Sequence, residues 1–379
     1  MSTLMFLEVA LRGLIVSALL QLAFAMMTRW ERRAMARMQW RIGPNRAGPW
    51  GLLQPFADGL KLLFKEQLMP DNARPFLYLV APCISLVVAL TSFAVIPTQL
   101  SNWPFNLFFD IPEGHNLYQI ADINVGVLFL LGITSLAVYG IVLGGWASGN
   151  KYSLIGSIRA SAQMVSYELA LGTALLSPLF MVGSLSFRDI SIFQAESAWL
   201  VFSQPLAAVI FAISALAETN RAPFDLPEAE QELGAGFHTE YSGMRFSLFF
   251  MAEYIAMITV SSVLVTVFFG GSYLMPFNTL FGIDLPQLDS FFFYFFKVFI
   301  CMFCFIWIRA TFPRFRYDQL MNIGWKVLLP LAMGNLAITA VGVVFSMSWW
   351  GYTAVITGTV AILYLAGKLS RRHESRGEH

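Results

Sequence analysis

Between residues 218 and 240 six acids stand against a single arginine: Glu218, Asp225, Glu228, Glu230, Glu232 and Glu240, with Arg221 among them. Glu228, Glu230 and Glu232 alternate, and Glu228 and Glu232 share a face wherever the backbone is helical. Carboxylates held close raise at least one pKa and titrate as a set, which is what a proton-handling site needs. Pro223 and Pro227 break any helix that ends near Glu218, so the backbone here is irregular. Phe224, Leu226 and Leu233 flank the acids, and Gly-Ala-Gly-Phe-His follows them, a setting that points to partial burial. A solvated charged face is the alternative reading of the same spacing.

Other ionisable groups lie inside long apolar runs. Glu168 closes the stretch Gln163-Met164-Val165-Ser166-Tyr167-Glu168, and Glu253 sits in Met251-Ala252-Glu253-Tyr254. Lys297 lies in a phenylalanine-rich run, and Glu8 precedes Arg12 by one helical turn, the favourable order for an ion pair. An isolated charge in hydrocarbon is costly, so each such group pairs, faces a polar interior or is neutralised by protonation. Glu168 and Glu253 read as members of a proton relay. A static pair between a glutamate and Lys297 is the structural alternative.

The elements that must position these groups follow from composition. The chain is 57% apolar and 12% charged, against about 25% charged in a soluble domain. Its net charge of +1 gives no broad field for nucleic acid. Nine apolar runs approach the roughly 20 residues needed to cross a bilayer as helix: 4–28, 74–96, 122–145, 160–182, 198–217, 245–269, 291–310, 326–346 and 349–367. The expected fold is therefore an all-α polytopic membrane protein, 1–379 forming a single membrane domain. The first run lacks a basic leader and a small-residue cleavage site, so it reads as a span rather than a signal peptide.

Lys and Arg fix the orientation. Of the 24, only Arg12, Arg188 and Lys297 fall outside the segments 29–74, 146–159, 218–245, 309–326 and the tail after 367. Positive loops stay cytoplasmic, which places the N-terminus outside and the C-terminus inside. Within 29–74, Gln54 and Pro55 begin a shorter helix that runs to Glu66. Its apolar face carries Phe56, Leu60, Leu63 and Phe64, and its polar face Asp58, Lys61 and Lys65. That pattern predicts an amphipathic helix lying along the membrane plane, either as a surface anchor or as the wall of a lipid-accessible opening.

Several chemistries are not supported. No phosphate-binding glycine motif is present. Cys83, Cys301 and Cys304 cannot supply an iron–sulfur cluster, and the Cys-Met-Phe-Cys pair reads as packing inside an apolar run. The four histidines are scattered. No cofactor is expected to be bound by this chain.

Three long segments carry a family resemblance. The first joins Trp30-Glu31-Arg32-Arg33, Met38-Gln39-Trp40-Arg41-Ile42-Gly43-Pro44-Asn45 and Gly48-Pro49-Trp50-Gly51-Leu52-Leu53-Gln54-Pro55-Phe56-Ala57-Asp58-Gly59-Leu60-Lys61. The second is Glu218 to Tyr241, and the third Arg309-Ala310-Thr311-Phe312-Pro313-Arg314-Phe315-Arg316-Tyr317-Asp318-Gln319-Leu320. In order and in content they resemble the NuoH family of the proton-translocating NADH-quinone oxidoreductase, respiratory complex I, whose mitochondrial counterpart is subunit 1. The resemblance covers essentially the whole chain. It implies a membrane component that forms much of a quinone-access tunnel and joins the electron-transfer arm to the proton-pumping arm. FMN and iron–sulfur centres would then belong to partner subunits, with quinone as substrate and an energy-transducing membrane, such as a bacterial inner membrane, as the location.

Carried over by position, Arg33, Arg41, Pro44, Phe56, Phe224, Asp225 and Arg314 would surround the tunnel and the peripheral-arm interface. Glu218, Glu228, Glu230 and Glu232 would lie below the quinone site, with Glu168 and Glu253 continuing inward. The family usually ends after eight spans, so the ninth run and the tail Arg371-Arg372-His373-Glu374 depart from its pattern. Rival readings are the related membrane subunit of an energy-converting hydrogenase or another quinone-linked dehydrogenase, an autonomous cation/proton antiporter, and a passive anchor.

Overall fold

The computed structural model describes residues 3–99, 118–225, 236–273, 290–345 and 351–352, with side chains from Glu8 onward. Described residues form helices and connecting turns. In chain order the helices are α1 (Thr3–Met38), α2 (Gln54–Phe64), α3 (Pro75–Ser92), α4 (Gly126–Ser135), α5 (Ala137–Ala147), α6 (Lys151–Val182) and α7 (Phe187–Glu196). They continue with α8 (Leu200–Ser203), α9 (Pro205–Glu218), α10 (Gly243–Phe268), α11 (Phe291–Thr311), α12 (Tyr317–Ile323) and α13 (Leu329–Val344). A π-helical turn, Gly324–Leu328, makes α12 and α13 one continuous rod.

Among the described residues seven helical stretches are long and apolar enough to cross a membrane. They correspond to seven of the nine expected runs. The fifth, 198–217, is helical in two pieces, α8 and α9, because Gln204 adopts φ −128°, ψ 53° and Pro205 restarts the helix. The remaining α9 has 14 residues, about 21 Å of helix against a hydrocarbon core of about 30 Å. The run 349–367 lies outside the described residues except at 351–352.

Two boundaries also move. α1 continues ten residues past the expected end at Thr28, because Arg, Glu, Ala and Met favour helix and no Gly or Pro intervenes. Trp30-Glu31-Arg32-Arg33 is therefore on a helix rather than in a loop. α6 begins at Lys151, nine residues before the expected start at 160, because Asn150 caps it by accepting a hydrogen bond from Tyr152 N at 3.0 Å. It ends at Gly183, whose φ of 74° closes the last turn with a 2.8 Å bond from its N–H to Leu179 O. α7 has no counterpart in the apolar pattern, since it is short and only half apolar.

α10 is the central helix. Of its most apolar stretch 72% is buried, against 6% for α1, which leaves the flank of α1 to lipid or neighbouring chains. α1, α3, α6, α7, α9 and α11 pack against it, α5 lies on α3 and α6, and α13 lies on α6 and α9, with Tyr167, Phe211, Phe268 and Tyr294 fully buried. Close approach of α5 to its neighbours depends on glycine: a Cβ on Gly140 would lie 2.0 Å from Ser85 Oγ, and one on Gly145 2.2 Å from Ser157 Oγ. Small residues at such contacts are how helices associate where no hydrophobic force acts between them.

Gly145→Val should therefore force α5 off α6. A loss of about 1–3 kcal/mol is expected, read as a lower thermal midpoint of the membrane-extracted protein, with Gly334→Ala, which meets open space, as the neutral control.

Candidate functional site

The N-terminal half of α10, the last turns of α1 and the end of α9 meet at one buried carboxylate. Glu31, 2% exposed, accepts from Tyr254 OH at 2.6 Å on one oxygen. Its other oxygen faces Arg221 Nη1 at 3.4 Å and pairs with Arg309. Arg221 Nε lies 2.8 Å from Glu253 Oε1, and its guanidinium stands over the Tyr254 ring at 4.0 Å. Two carboxylates and two guanidiniums thus balance in a nearly dry setting. Burial pulls Arg221 toward the neutral form, but Glu253, Tyr254 and Glu31 outweigh it and hold its pKa above the ordinary arginine value. Arg221 therefore keeps its proton.

Arg221 is held there by backbone geometry. Its N–H bonds Leu216 O at 3.3 Å and its carbonyl accepts from Phe224 N at 2.8 Å. Gln163 on α6, fully buried, reaches across with Nε2 to the carbonyls of Ala217 and Phe224, each at 2.8 Å. One amide therefore staples the end of α9 to the turn that follows.

That turn is zipped to the segment after α11. Phe315 N donates to Pro223 O at 3.2 Å, and Phe224 sits between the rings of Tyr167 and Phe315 at 5.5 and 5.6 Å. Asp225, buried, pairs with Arg314 at 3.1 Å. The three signature segments thus converge: Glu31 from the first, Arg221 to Asp225 from the second, Arg309 to Phe315 from the third.

A cavity of about 90 Å³ adjoins this cluster. Its ionisable lining is Glu218, Glu253 and His238, and Asn220, Thr219, Ser85, Ser92, Thr134 and Thr259 supply further polar atoms. It has room for several waters, which need polar partners of this kind. Glu168 on α6 is close enough to Glu218 for their charges to interact. Carboxyl groups on a polar cavity can accept and pass protons.

The expected site residues divide into two sets. Glu218, Glu253, Phe224, Asp225 and Arg314 are gathered around the cluster, with Glu168 beside it. Arg33, Arg41, Pro44 and Phe56 lie apart, on the outer surface near α2. Arg41 bonds Gln39 at 2.7 Å in the open, and Phe56 is 60% exposed. α2 is tied to α1 by Arg32 to Asp58 at 2.7 Å, with its apolar residues outward. Glu228, Glu230 and Glu232 lie outside the described residues.

Two further outcomes concern buried charge. Glu8 and Arg12 pair as their spacing implies. Lys297 does not meet a glutamate: its ammonium donates to the carbonyls of Phe269, Gly271 and Tyr273 and lies 4.7 Å from the Trp199 ring centre, which corrects the static-pair alternative. Cys301 and Cys304 are unbonded, and among the described residues no group of three or more His, Cys, Asp or Glu could hold a metal ion. Glu31, Tyr254, Arg309 and His238 join the site without a signal in local spacing. Arg221 does have one, since one arginine in a run of six acids is their natural counter-ion.

Fold and site together define a class: an integral helical membrane protein whose interior holds a balanced ion cluster beside a polar cavity. Comparison with known proteins narrows it. Residues 11–340 match the family model described as NADH dehydrogenase. The NADH-quinone oxidoreductase H subunit of Protochlamydia amoebophila is 53% identical over 84% of this chain and 92% of its own length. That of Thermomicrobium roseum is 49% identical over 87% and 93%, and NADH-quinone oxidoreductase subunit 8 of Rhodothermus marinus 47% over 87% and 95%. The chain belongs to the NuoH family, the H subunits of NADH-quinone oxidoreductase.

Removing Arg221 would take a buried counter-ion from both Glu31 and Glu253. Arg221→Met should cost about 3–5 kcal/mol of stability, and adding Glu253→Gln should restore part of it. Thermal unfolding of the single and double variants decides: strictly additive losses would mean the two side chains are not coupled.

Proposed function

We propose that this chain is the membrane subunit through which quinone reaches the reaction site of an NADH-quinone oxidoreductase, and in which quinone reduction is coupled to proton movement. The observation that carries the proposal is the cavity bearing Glu218 and Glu253, set directly against the cluster of Glu31, Arg221 and Arg309. The family supports the substrate, because the relatives are named for quinone and NADH. The chain is a subunit without a redox centre of its own: electrons arrive from FMN and iron–sulfur centres in partner subunits.

Access follows from the surface. The outward face of α2, with Phe56, Leu60, Leu63 and Phe64, suits a helix in the membrane plane that walls a lipid-side opening. Arg33, Arg41 and Pro44 lie beside Trp40 and Ile42, which are 97% and 85% exposed. Large apolar side chains bared among arginines suit a protein partner, here the peripheral arm. The distribution of Lys and Arg supports a cytoplasmic position for this surface, with the N-terminus outside, in a bacterial inner membrane.

Coupling follows from charge balance. Reduction of quinone to quinol takes two electrons and two protons. Negative charge arriving before those protons competes with Glu31 and Glu253 for the field of Arg221, which is fixed in its charged form. The carboxyl groups of Glu253, Glu218 and Glu168 are the groups left to respond by changing protonation. Glu228, Glu230 and Glu232 belong to the same acidic segment of the sequence, and Asp225 with Arg314 fixes the turn that precedes it.

Two experiments test this. An azido-quinone photolysed on the intact complex should label peptides within 29–66 or 218–241, with labelling competed away by excess quinone; labelling confined to partner subunits would refute the access role. Glu218→Gln and Glu253→Gln should each lower quinone turnover and proton pumping together, by about tenfold or more, and normal pumping in both would refute the coupling role.

A further inference from the structure

The polar cavity does not mark the end of the polar residues in the membrane interior. Thr259 of α10 lines it. Ser262 and Thr266 follow at spacings of three and four residues, on the same face of the helix and both buried. From Thr259 to Thr266 the rise is about 10 Å. Tyr294 of α11, with no exposed surface, sets its phenol against the hydroxyls of Ser262 and Thr266. Yet neither Tyr294 OH nor Ser262 Oγ makes a hydrogen bond of ordinary geometry. Thr266 Oγ1 donates to Ser262 O at 2.8 Å and keeps lone pairs free to accept.

Hydroxyls that face one another at poor hydrogen-bonding geometry, between packed apolar helices, are costly unless a further polar group joins them. A single water touching Ser262, Thr266 and Tyr294 would satisfy all three, and two to four polar partners are what a buried water requires. The polar groups then continue. Gln194 of α7 donates to Thr266 O at 2.9 Å and accepts from Gly270 N at 3.0 Å. The turn after α10 closes over Lys297, one helical turn beyond Tyr294 on α11. Carbonyls of Phe269 and Gly271 accept from its ammonium at 2.8 and 2.9 Å, that of Tyr273 completes the cage, and the Trp199 ring covers it. Among the described residues no carboxylate shares the cage; carbonyl dipoles and a π face hold the ammonium.

We propose that the cavity continues along α10 as a water-bridged hydroxyl path, from Thr259 through Ser262, Tyr294 and Thr266 to Lys297, and that protons cross this subunit by it. The proposal rests on the proton-coupling reading above. A proton from the cavity passes to the water held by Ser262 and Tyr294. Each oxygen then exchanges one O–H bond for one hydrogen bond. Lys297 gives a proton to the far side and is recharged from the path. One proton enters, one leaves, and no electron moves.

The test uses the intact complex. Radiolytic hydroxyl-radical labelling modifies side chains that touch bound water. Tyr294 should be labelled at least about fivefold more than Tyr167, an equally buried tyrosine whose OH already donates to Leu320 O at 2.9 Å. In proteoliposomes, Tyr294→Phe and Ser262→Ala should each lower the number of protons moved per electron. Ser262→Ala removes a single oxygen, so it reads out even if Tyr294→Phe fails to assemble. Equal labelling of the two tyrosines, or a ratio that stays at the wild-type value in the assembled variants whatever their turnover, overturns the path. Glu253→Gln run alongside separates the cases: if it abolishes coupling while Ser262→Ala leaves the ratio intact, the cavity reading stands and the path falls.

Discussion

Charge neutrality in a medium that cannot solvate charge governs this protein. Glu31, Glu253, Arg221 and Arg309 sit where water is scarce, and an ion left alone there would cost several kcal/mol. Each is tolerable only while its partners stay within a few ångströms. The partners come from three segments separated by up to 278 residues along the chain, so the condition on four side chains becomes a condition on the fold. α1 must extend past the membrane to deliver Glu31. α9 must stop at Glu218 so that Arg221 can turn back. Gln163 must hold both sides of that turn.

The same neutrality gives the site its responsiveness. A balanced cluster has no net attraction for further charge, but any added charge nearby has to be compensated locally. Arg221 cannot release its proton, and the cavity beside it carries the carboxyls of Glu218 and Glu253. Strong fixed charge beside weakly held protons is how a distant chemical step can be felt as an electrostatic one.

Much of this is legible in the residues. Apolar runs and loop charge give the membrane class, and the acids inside them mark where polar interior must lie. Glu8 with Arg12 is readable because both partners lie on one helix. Glu31 is hidden for the opposite reason: its partners are 190 and 278 positions away, and only packing brings them together. The extension of α1 and the early start of α6 escape hydropathy, which ends a span where charge begins, whereas a helix ends where capping or a breaker ends it. Asn150 is the cap that hydropathy does not register. Lys297 shows that a buried cation need not seek an acid; the end of a helix and the turn after it offer carbonyls enough.

The long first helix carries a consequence of its own. Its 36 residues span about 54 Å, its flank is open to lipid or neighbouring chains, and its far end grips Arg221 and Arg309 through one carboxylate. A rod of this kind answers hydrophobic mismatch by tilting. Bilayer thickness is thereby tied to the spacing of an ion pair, and the lipid becomes a mechanical input to the same charges that face the cavity.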